Sequence, residues 1–281
     1  MKNKKAESQI VGDAGITLEL RTNLFLGTKE MGERILRYLV GTGDVFTPEI
    51  FDGGRLTRNK KVRFDAQKLD LPLDSWVDNR YSLGIIAERH HPVESSLHVS
   101  ATDFLMFDRL GLSLATEWFT DDERLNKFVR VARDLYSIVG ANSGYIQNWR
   151  NERSPGELTD DKGNLIGYRP PKVKWALPGI FWANFFGPEY VDMFGRNKLI
   201  SAPWQKTEDL PDGGILTFIS ESPLNTAEPE YQVRKKKLYS YLGEDAFTGS
   251  LMPSFRTEGR RKKRDARPLA RSSGVRDDVF Q

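Results

Sequence analysis

The 281-residue sequence contains no cysteine and only three histidines, His90, His91 and His98. Without cysteine there is no disulfide bond, no thiolate nucleophile and no cysteine-based zinc or iron–sulfur site. His90 and His91 are adjacent, so in an extended chain they point to opposite faces and are poorly placed to bind one metal ion together. Three histidines within nine residues also offer little basis for a Ser-His-Asp triad. We therefore expect no catalytic histidine and no metal site.

A long apolar run and a glycine-rich phosphate loop are also missing. The longest mostly apolar stretch, residues 176–186, is shorter than the roughly 20 residues of a membrane helix. Residues 1–8 are charged and lead into no apolar segment of the signal-peptide kind, so we expect a cytoplasmic protein that does not bind membranes. Segments 12–15 and 41–43 contain glycine but lack the spacing of a nucleotide-binding loop. We therefore expect no cofactor.

The charge is distributed unevenly along the chain. Residues 256–281 carry nine basic and four acidic side chains, whereas the remainder carries 33 basic and 35 acidic ones. This composition predicts a folded part that is close to neutral and a disordered basic tail. The tail contains five consecutive cations that can bind phosphates or an acidic partner: Arg260, Arg261, Lys262, Lys263 and Arg264. Together with the basic loop Arg55–Lys68, the tail supports one alternative, a nucleic-acid-associated subunit.

Three carboxylates on or near predicted strands raise a second alternative, an enzyme. Asp103, Asp108 and Glu117 have the residue type that nucleases and glycosidases use in converging pairs or triplets. A chain with 29% charged residues produces such spacings by chance, however. We therefore interpret these residues as surface charges and expect no catalytic site.

Hydrophobic periodicity predicts an α+β fold with a mostly antiparallel sheet. Residues 16–21 alternate as a strand does, and apolar residues from 31 to 40 recur at helical spacing. A second helix follows Thr120, which we interpret as its N-cap, and ends at Gly140. A strand at 214–219 and a helix at 229–242 complete the pattern.

Residues 44–79 are rich in turn-forming residues, and we expect 151–171 to be an internal linker or a long surface loop. We accordingly divide the chain into three parts: a loose lead-in (1–14), a single domain (15–255) and the basic tail (256–281). The domain has two possible halves, 15–150 and 172–255, because a strand followed by a helix recurs along it. No residue-level repeat proves a duplication.

Residues 177–195 form the most unusual stretch, in which aromatic residues surround an asparagine and a Gly-Pro pair. We expect Phe181 and Phe185 to lie in the core. Asn184 is in apolar company, so its amide must find partners, and we expect these in the turn that follows. A short helix is predicted to start at Pro188, because proline is favoured at the first helical position.

This stretch and four short motifs after it resemble bacterial immunity proteins, the cytosolic inhibitors of polymorphic and type VI secretion toxins. The motifs are PGIFWANFFGPEYV (178–191), FGRNKL (194–199), SAP (201–203), DGGIL (212–216) and SESPL (220–224). The resemblance covers roughly residues 120–225. On these motifs it marks a set of structural residues: Phe181, Trp182, Asn184, Gly187, Pro188, Gly195 and Pro203.

The resemblance implies a non-enzymatic α+β protein that binds a protein partner, a toxin or defence protein encoded nearby. Such an interface needs aromatic and arginine anchors within a polar rim. Four residues in or beside predicted loops are the candidates: Trp149, Arg150, Tyr168 and Trp204.

Overall fold

The structure is a computed structural model, which describes 15–52, 61–78, 84–101, 107–152, 157–159, 165–168, 176–243 and 245–248. All of these residues belong to one compact unit, Met1–Leu251. The lead-in (1–14), the tail (256–281) and the first part of the basic loop (55–60) lie outside the described residues.

Most of the described strands pair in one antiparallel sheet. These are β1 (Gly15–Thr22), β2 (Ile50–Asp52), β3 (Lys61–Arg63), β4 (Gly84–Arg89), β5 (Ser95–Ser100), β6 (Asp108–Ala115), β7 (Ala141–Asn148), β10 (Ala183–Phe186), β11 (Lys206–Asp209) and β12 (Ile215–Phe218). Their order across the sheet is β11-β12-β10-β7-β1-β6-β5-β4-β2-β3. The remaining two, β8 (Glu157–Thr159) and β9 (Leu165–Tyr168), form a separate antiparallel pair.

Helices complete the α+β class that the sequence predicts. The described ones are α1 (Lys29–Thr42), α2 (Asp70–Asp78), α3 (Asp122–Val139), α4 (Pro188–Phe194), α5 (Arg196–Ile200), α6 (Pro229–Leu242) and α7 (Asp245–Thr248). Short 3₁₀ helices lie at Asp44–Phe46, Thr116–Trp118 and Pro223–Ala227. Among the described residues, no helix combines the length and the apolar character needed to cross a membrane.

Strand β1 lies inside the sheet, between β6 and β7, and its alternation separates two faces. Ile16, Leu18 and Leu20 are fully buried on one face. Helix α3 packs over this apolar face, where Tyr136 stacks on Phe185 with ring centroids 5.4 Å apart. The alternate residues of β1 place polar side chains on the opposite face. We call these the apolar face and the polar face of the sheet.

Helix α3 begins one residue later than the sequence analysis predicts. Its N-cap is Asp121, whose carboxylate accepts a hydrogen bond from the backbone N–H of Arg124 at 2.9 Å. Thr120 instead donates its hydroxyl proton to Asp121 Oδ2 at 3.1 Å, so the choice of Thr120 as cap was wrong. Gly140 ends the helix in the left-handed conformation, with φ 54°, as predicted.

The interpretation of 44–79 and 151–171 as turns and loops missed several elements. Strands β2 and β3 and helix α2 lie within 44–79, and β8 and β9 lie within 151–171. Helix α2 is short, and tertiary contacts stabilise it: Trp76 is buried and its indole N–H donates to Leu26 O at 2.7 Å. Such a helix has too few turns for its periodicity to stand out in the sequence.

Candidate functional site

The aromatic stretch forms a buried turn that leads into β10. Asn184 holds this turn with both ends of its amide: Oδ1 accepts from the backbone N–H of Phe181 at 3.0 Å, and Nδ2 donates to Phe181 O at 2.9 Å. The partners of Asn184 therefore precede it, and our placement of them in the following turn was wrong. Phe181 stacks on Tyr145 with centroids 4.1 Å apart, which attaches the turn to β7.

The Gly-Pro pair joins β10 to the two short helices. The backbone N–H of Gly187 donates to Asn142 O at 2.9 Å, and Pro188 is the first residue of α4. Gly195, with φ 84°, ends α4 and begins α5, a helix that the sequence analysis did not predict. The exposed Pro203 follows α5 and leads towards β11.

A buried carboxylate connects this stretch to α6. Glu152 has no exposed side-chain surface, and its Oε1 accepts from Lys235 Nζ at 2.8 Å and from the hydroxyl of Tyr231. Its Oε2 accepts from the backbone N–H groups of Asn148 at 3.2 Å and Trp182 at 3.4 Å. Glu152 thus fixes the end of β7, the start of β10 and helix α6 against one another.

Beside this network, a cavity of about 430 Å³ opens between α3 and the outer strands β11 and β12. Its apolar part contains Trp182 and Phe218, whose rings meet edge to face at 5.3 Å. Leu125 and Val129 of α3, both half-buried, form the facing wall. The indole N–H of Trp182 donates to Ser220 O at 3.0 Å, which holds the ring in place.

Charged side chains surround this apolar part. Glu208 is shared between Arg133 and Lys206, whose Nζ lies 2.5 Å from Glu208 Oε1. Arg130 also lines the cavity and is exposed. Of the charged side chains that line this cavity, three are cations and two, Glu208 and Glu221, are carboxylates, so its lining is net basic.

A second cavity, of about 220 Å³, adjoins the first, since Gln205, Ser220 and Glu221 line both. Glu228 and Glu230 line its far end, where Glu230 pairs with Arg234 at 3.5 Å. We call the two cavities together the α3–β11 groove. Its two ends have opposite charge, basic beside α3 and acidic beside α6.

The groove is built from the segments that carry the sequence resemblance. Trp182 belongs to the aromatic stretch, Gln205 is the second residue after the SAP motif, and the SESPL motif contributes Ser220 and Glu221. Leu125 and Val129 fall within the second predicted helix, and the sequence analysis missed that both line a cavity. No local signal reveals it, because the cavity exists only where β11 ends the sheet.

Of the four predicted anchors, the three whose side chains are described do not come together. Trp149 follows β7, half-buried, and Arg150 is exposed and pairs with Glu117 at 3.1 Å. Trp204 packs near Phe186, the last residue of β10, and its indole N–H donates to Leu199 O at 2.8 Å. Tyr168 belongs to β9, and its side chain lies outside the described residues.

Of the three carboxylates on which the enzyme alternative depends, the two described ones are separated. Asp108 is buried at the start of β6, where its Oδ2 accepts from the backbone N–H of Leu26 at 2.9 Å, while Glu117 follows the far end of that strand. Asp103 lies outside the described residues, as do the tail cations Arg260, Arg261, Lys262, Lys263 and Arg264. Of the basic loop, the described part includes Lys61, which pairs with Glu88 at 2.7 Å.

His98 lies on the polar face of β5, where its Nε2 is 2.9 Å from Ser96 Oγ. Burial lowers the pKa of His98, against the opposing effect of Glu88 and Glu19. An unfolded chain protonates this side chain near pH ~6.5, whereas the folded protein does so only at lower pH. The resulting stability is complete above the unfolded pKa and is lost as pH falls below it towards the folded pKa.

We therefore expect the wild type to lose more stability than His98→Gln between pH 7.5 and pH 5.5, as measured by urea unfolding. His90→Gln changes an exposed histidine and should follow the wild type. Equal losses in the wild type and in His98→Gln would contradict the prediction.

Comparison with known proteins gives no match to a family model or a curated protein, and distant structural similarity to solved structures. Among solved structures, the chain is similar to a Pseudomonas aeruginosa T6SS protein, PA0821, at 10% sequence identity and a TM-score of 0.49. The alignment covers 80% of this chain and 73% of that one. The chain is thus distantly similar in structure to a T6SS protein.

Proposed function

We propose that this chain is a non-enzymatic, immunity-like protein that neutralises a toxin-type protein partner by binding it through the α3–β11 groove. The observation that carries the proposal is the composition of the groove. The larger of its two cavities, of about 430 Å³, combines an aromatic floor, Trp182 and Phe218, with a charged rim. Buried aromatic pockets inside polar rims are where most binding energy arises in protein interfaces.

The sequence resemblance supports the same site, because its motifs converge there. Trp182, Gln205 and Ser220 lie far apart in the sequence and line one cavity. Conversely, the dispersed positions of Trp149 and Trp204 favour the groove over the individual loop anchors as the binding surface.

Rigid surroundings favour the groove as a preformed site. Glu152 holds the segments behind Trp182, and the indole of Trp182 is hydrogen-bonded to Ser220. A preformed pocket loses little conformational entropy when a partner binds, so more of the contact energy appears as affinity.

The proposal predicts that blocking the groove abolishes partner binding without unfolding the protein. Gln205 is exposed and lines both cavities, so Gln205→Trp places an indole across the groove. We expect the affinity for the protein encoded by the adjacent gene to fall at least about tenfold, a loss of roughly 1.4 kcal/mol. Calorimetric titration of the purified proteins measures it, with thermal unfolding as the check on folding.

The matched control is Lys68→Trp, which places the same indole on an exposed residue beyond β3, at the opposite end of the sheet. This variant should bind the partner with wild-type affinity. If the product of the adjacent gene neither binds the wild type nor has its activity inhibited by it, the proposed function is wrong. If that protein binds Gln205→Trp as tightly as the wild type, the groove is not the site.

A further inference from the structure

Two arginines lie directly opposite each other on the polar face, at the centre of the sheet. Strands β1 and β6 pair antiparallel in a register that places Arg21 against Arg109. Side chains opposite each other in such a pair project side by side from one face, so like charges there repel. Arginine stays protonated in proteins, and both residues are therefore cations.

One carboxylate, Glu19, is affected by the charges of both guanidinium groups. Glu19 Oε1 accepts from Nε of Arg21 at 2.8 Å, and the NH2 group of Arg21 is also 2.8 Å away. Burial opposes ionisation of Glu19, but the charges of Arg21 and Arg109 hold its pKa below the usual value. Glu19 is thus ionised and compensates for one of the two cations.

The neighbouring strand β7 adds one aromatic group and no second anion. Tyr145 of β7 is paired with Glu19 across the strands, and its ring centroid lies 5.7 Å from the guanidinium carbon of Arg21. Burial and the charge of Glu19 raise the pKa of Tyr145 well above its usual value, so this phenol stays neutral. The group of Glu19, Arg21, Arg109 and Tyr145 therefore carries a net charge of one positive unit.

Among the described residues of this group, Arg109 is the cation that remains uncompensated. Its Nε is buried and has no hydrogen-bond partner among the described residues. A buried N–H without a partner costs about 1–3 kcal/mol, and a charged one costs more. Arg21 and Glu19 hydrogen-bond to each other, and neither accepts a hydrogen bond from the Nε–H of Arg109.

We propose that Arg21 and Arg109 form a binding site for an oxyanion, such as a phosphate or a carboxylate. An oxyanion beside Arg109 accepts from its free Nε–H, neutralises the excess charge and relieves the repulsion across the strand pair. Guanidinium groups bind such anions through two parallel hydrogen bonds, which adds geometric selectivity. The site lies on the polar face, whereas the α3–β11 groove lies on the apolar side, so this inference does not depend on the proposed function.

The test is thermal unfolding of the full chain at pH 7 in inorganic phosphate, compared with chloride at equal ionic strength. At about ten times its Kd, phosphate should raise the Tm of the wild type by about 3 °C or more. Repeating the unfolding measurement with sodium acetate in place of phosphate distinguishes a carboxylate from a phosphate as the bound oxyanion. A shift in phosphate alone supports a phosphate site, and a shift in acetate supports a carboxylate site.

Arg109→Gln should abolish the anion-dependent shift and, because the repulsion with Arg21 is removed, keep or raise the Tm in chloride. Arg109→Lys keeps the charge without the two-pronged donor and should show a smaller shift than the wild type. Arg150→Gln removes an exposed arginine far from the pair and controls for general salt effects, so its shift should equal that of the wild type.

Two results would overturn the proposal. One is a wild type whose Tm responds equally to phosphate, acetate and chloride. The other is an Arg109→Gln or Arg109→Lys variant that retains the full wild-type shift, since this would place the anion elsewhere.

Discussion

Replacing Glu152 by alanine should lower the free energy of unfolding by about 3–5 kcal/mol, the usual cost of breaking a buried ion pair from one side. The variant leaves the ammonium group of Lys235, whose side chain is 16% exposed, without its carboxylate. It also removes the acceptor of the Tyr231 hydroxyl and of the backbone N–H groups of Asn148 and Trp182. Urea-induced unfolding, followed by circular dichroism, measures the change.

Glu117→Ala is the matched control, because it breaks an ion pair with Arg150 in which both side chains are more than half exposed. An exposed pair contributes about 0–1 kcal/mol, so this variant should remain close to the wild type. Equal effects of the two substitutions would show that Glu152 does not hold the core together. Partner affinity should also fall in Glu152→Ala, since the segment carrying Trp182 loses its support.

The second large effect is expected at Gly187, where substitution by alanine should lower the free energy of unfolding. At an ordinary helical glycine the same substitution raises it. A Cβ at this position would collide with Asn142 O and lie 2.9 Å from Asn142 C, both backbone atoms of β7. Gly187→Ala must therefore move β10 or α4 away from β7, which costs about 1–3 kcal/mol or more. Thermal unfolding and urea titration both report this loss.

Gly41→Ala is the control, and we expect it to raise the free energy of unfolding. Gly41 is exposed near the end of α1, and a Cβ there would meet no atom within 4 Å. Alanine in a helix is more stable than glycine by about 0.5–1 kcal/mol, so this variant should gain stability. A Gly187→Ala protein as stable as the wild type would show that the close approach of the two backbones can be relieved at no cost.

The sequence determined those elements whose signals are local. Alternation in residues 16–21 predicted β1, because side chains in a strand point to alternate faces. The apolar stripe after Asp121 and the glycine at 140 defined α3, and the interval 229–242 predicted for α6 is the one observed. In each case the residues that set the structure are neighbours in the chain.

Some elements escaped because their stability comes from elsewhere in the fold. Helix α2 has few turns and depends on Trp76, whose partner Leu26 is 50 residues away. Helix α5 has five residues and follows Gly195 directly, so its sequence shows less than two turns of periodicity. Short elements of this kind form where packing favours them, and propensity has little influence on them.

The sites themselves were decided by strand order and register. Periodicity assigns Arg21 to a face of its strand but does not say which residue lies opposite. A slip of one residue would place Asp108 or Leu110 against Arg21 in place of Arg109. Likewise, the α3–β11 groove exists because β11 ends the sheet beside α3. The sequence by itself determined the strands, helices and faces, and the tertiary structure decided which charges and aromatic rings meet, because those contacts join residues distant in the chain.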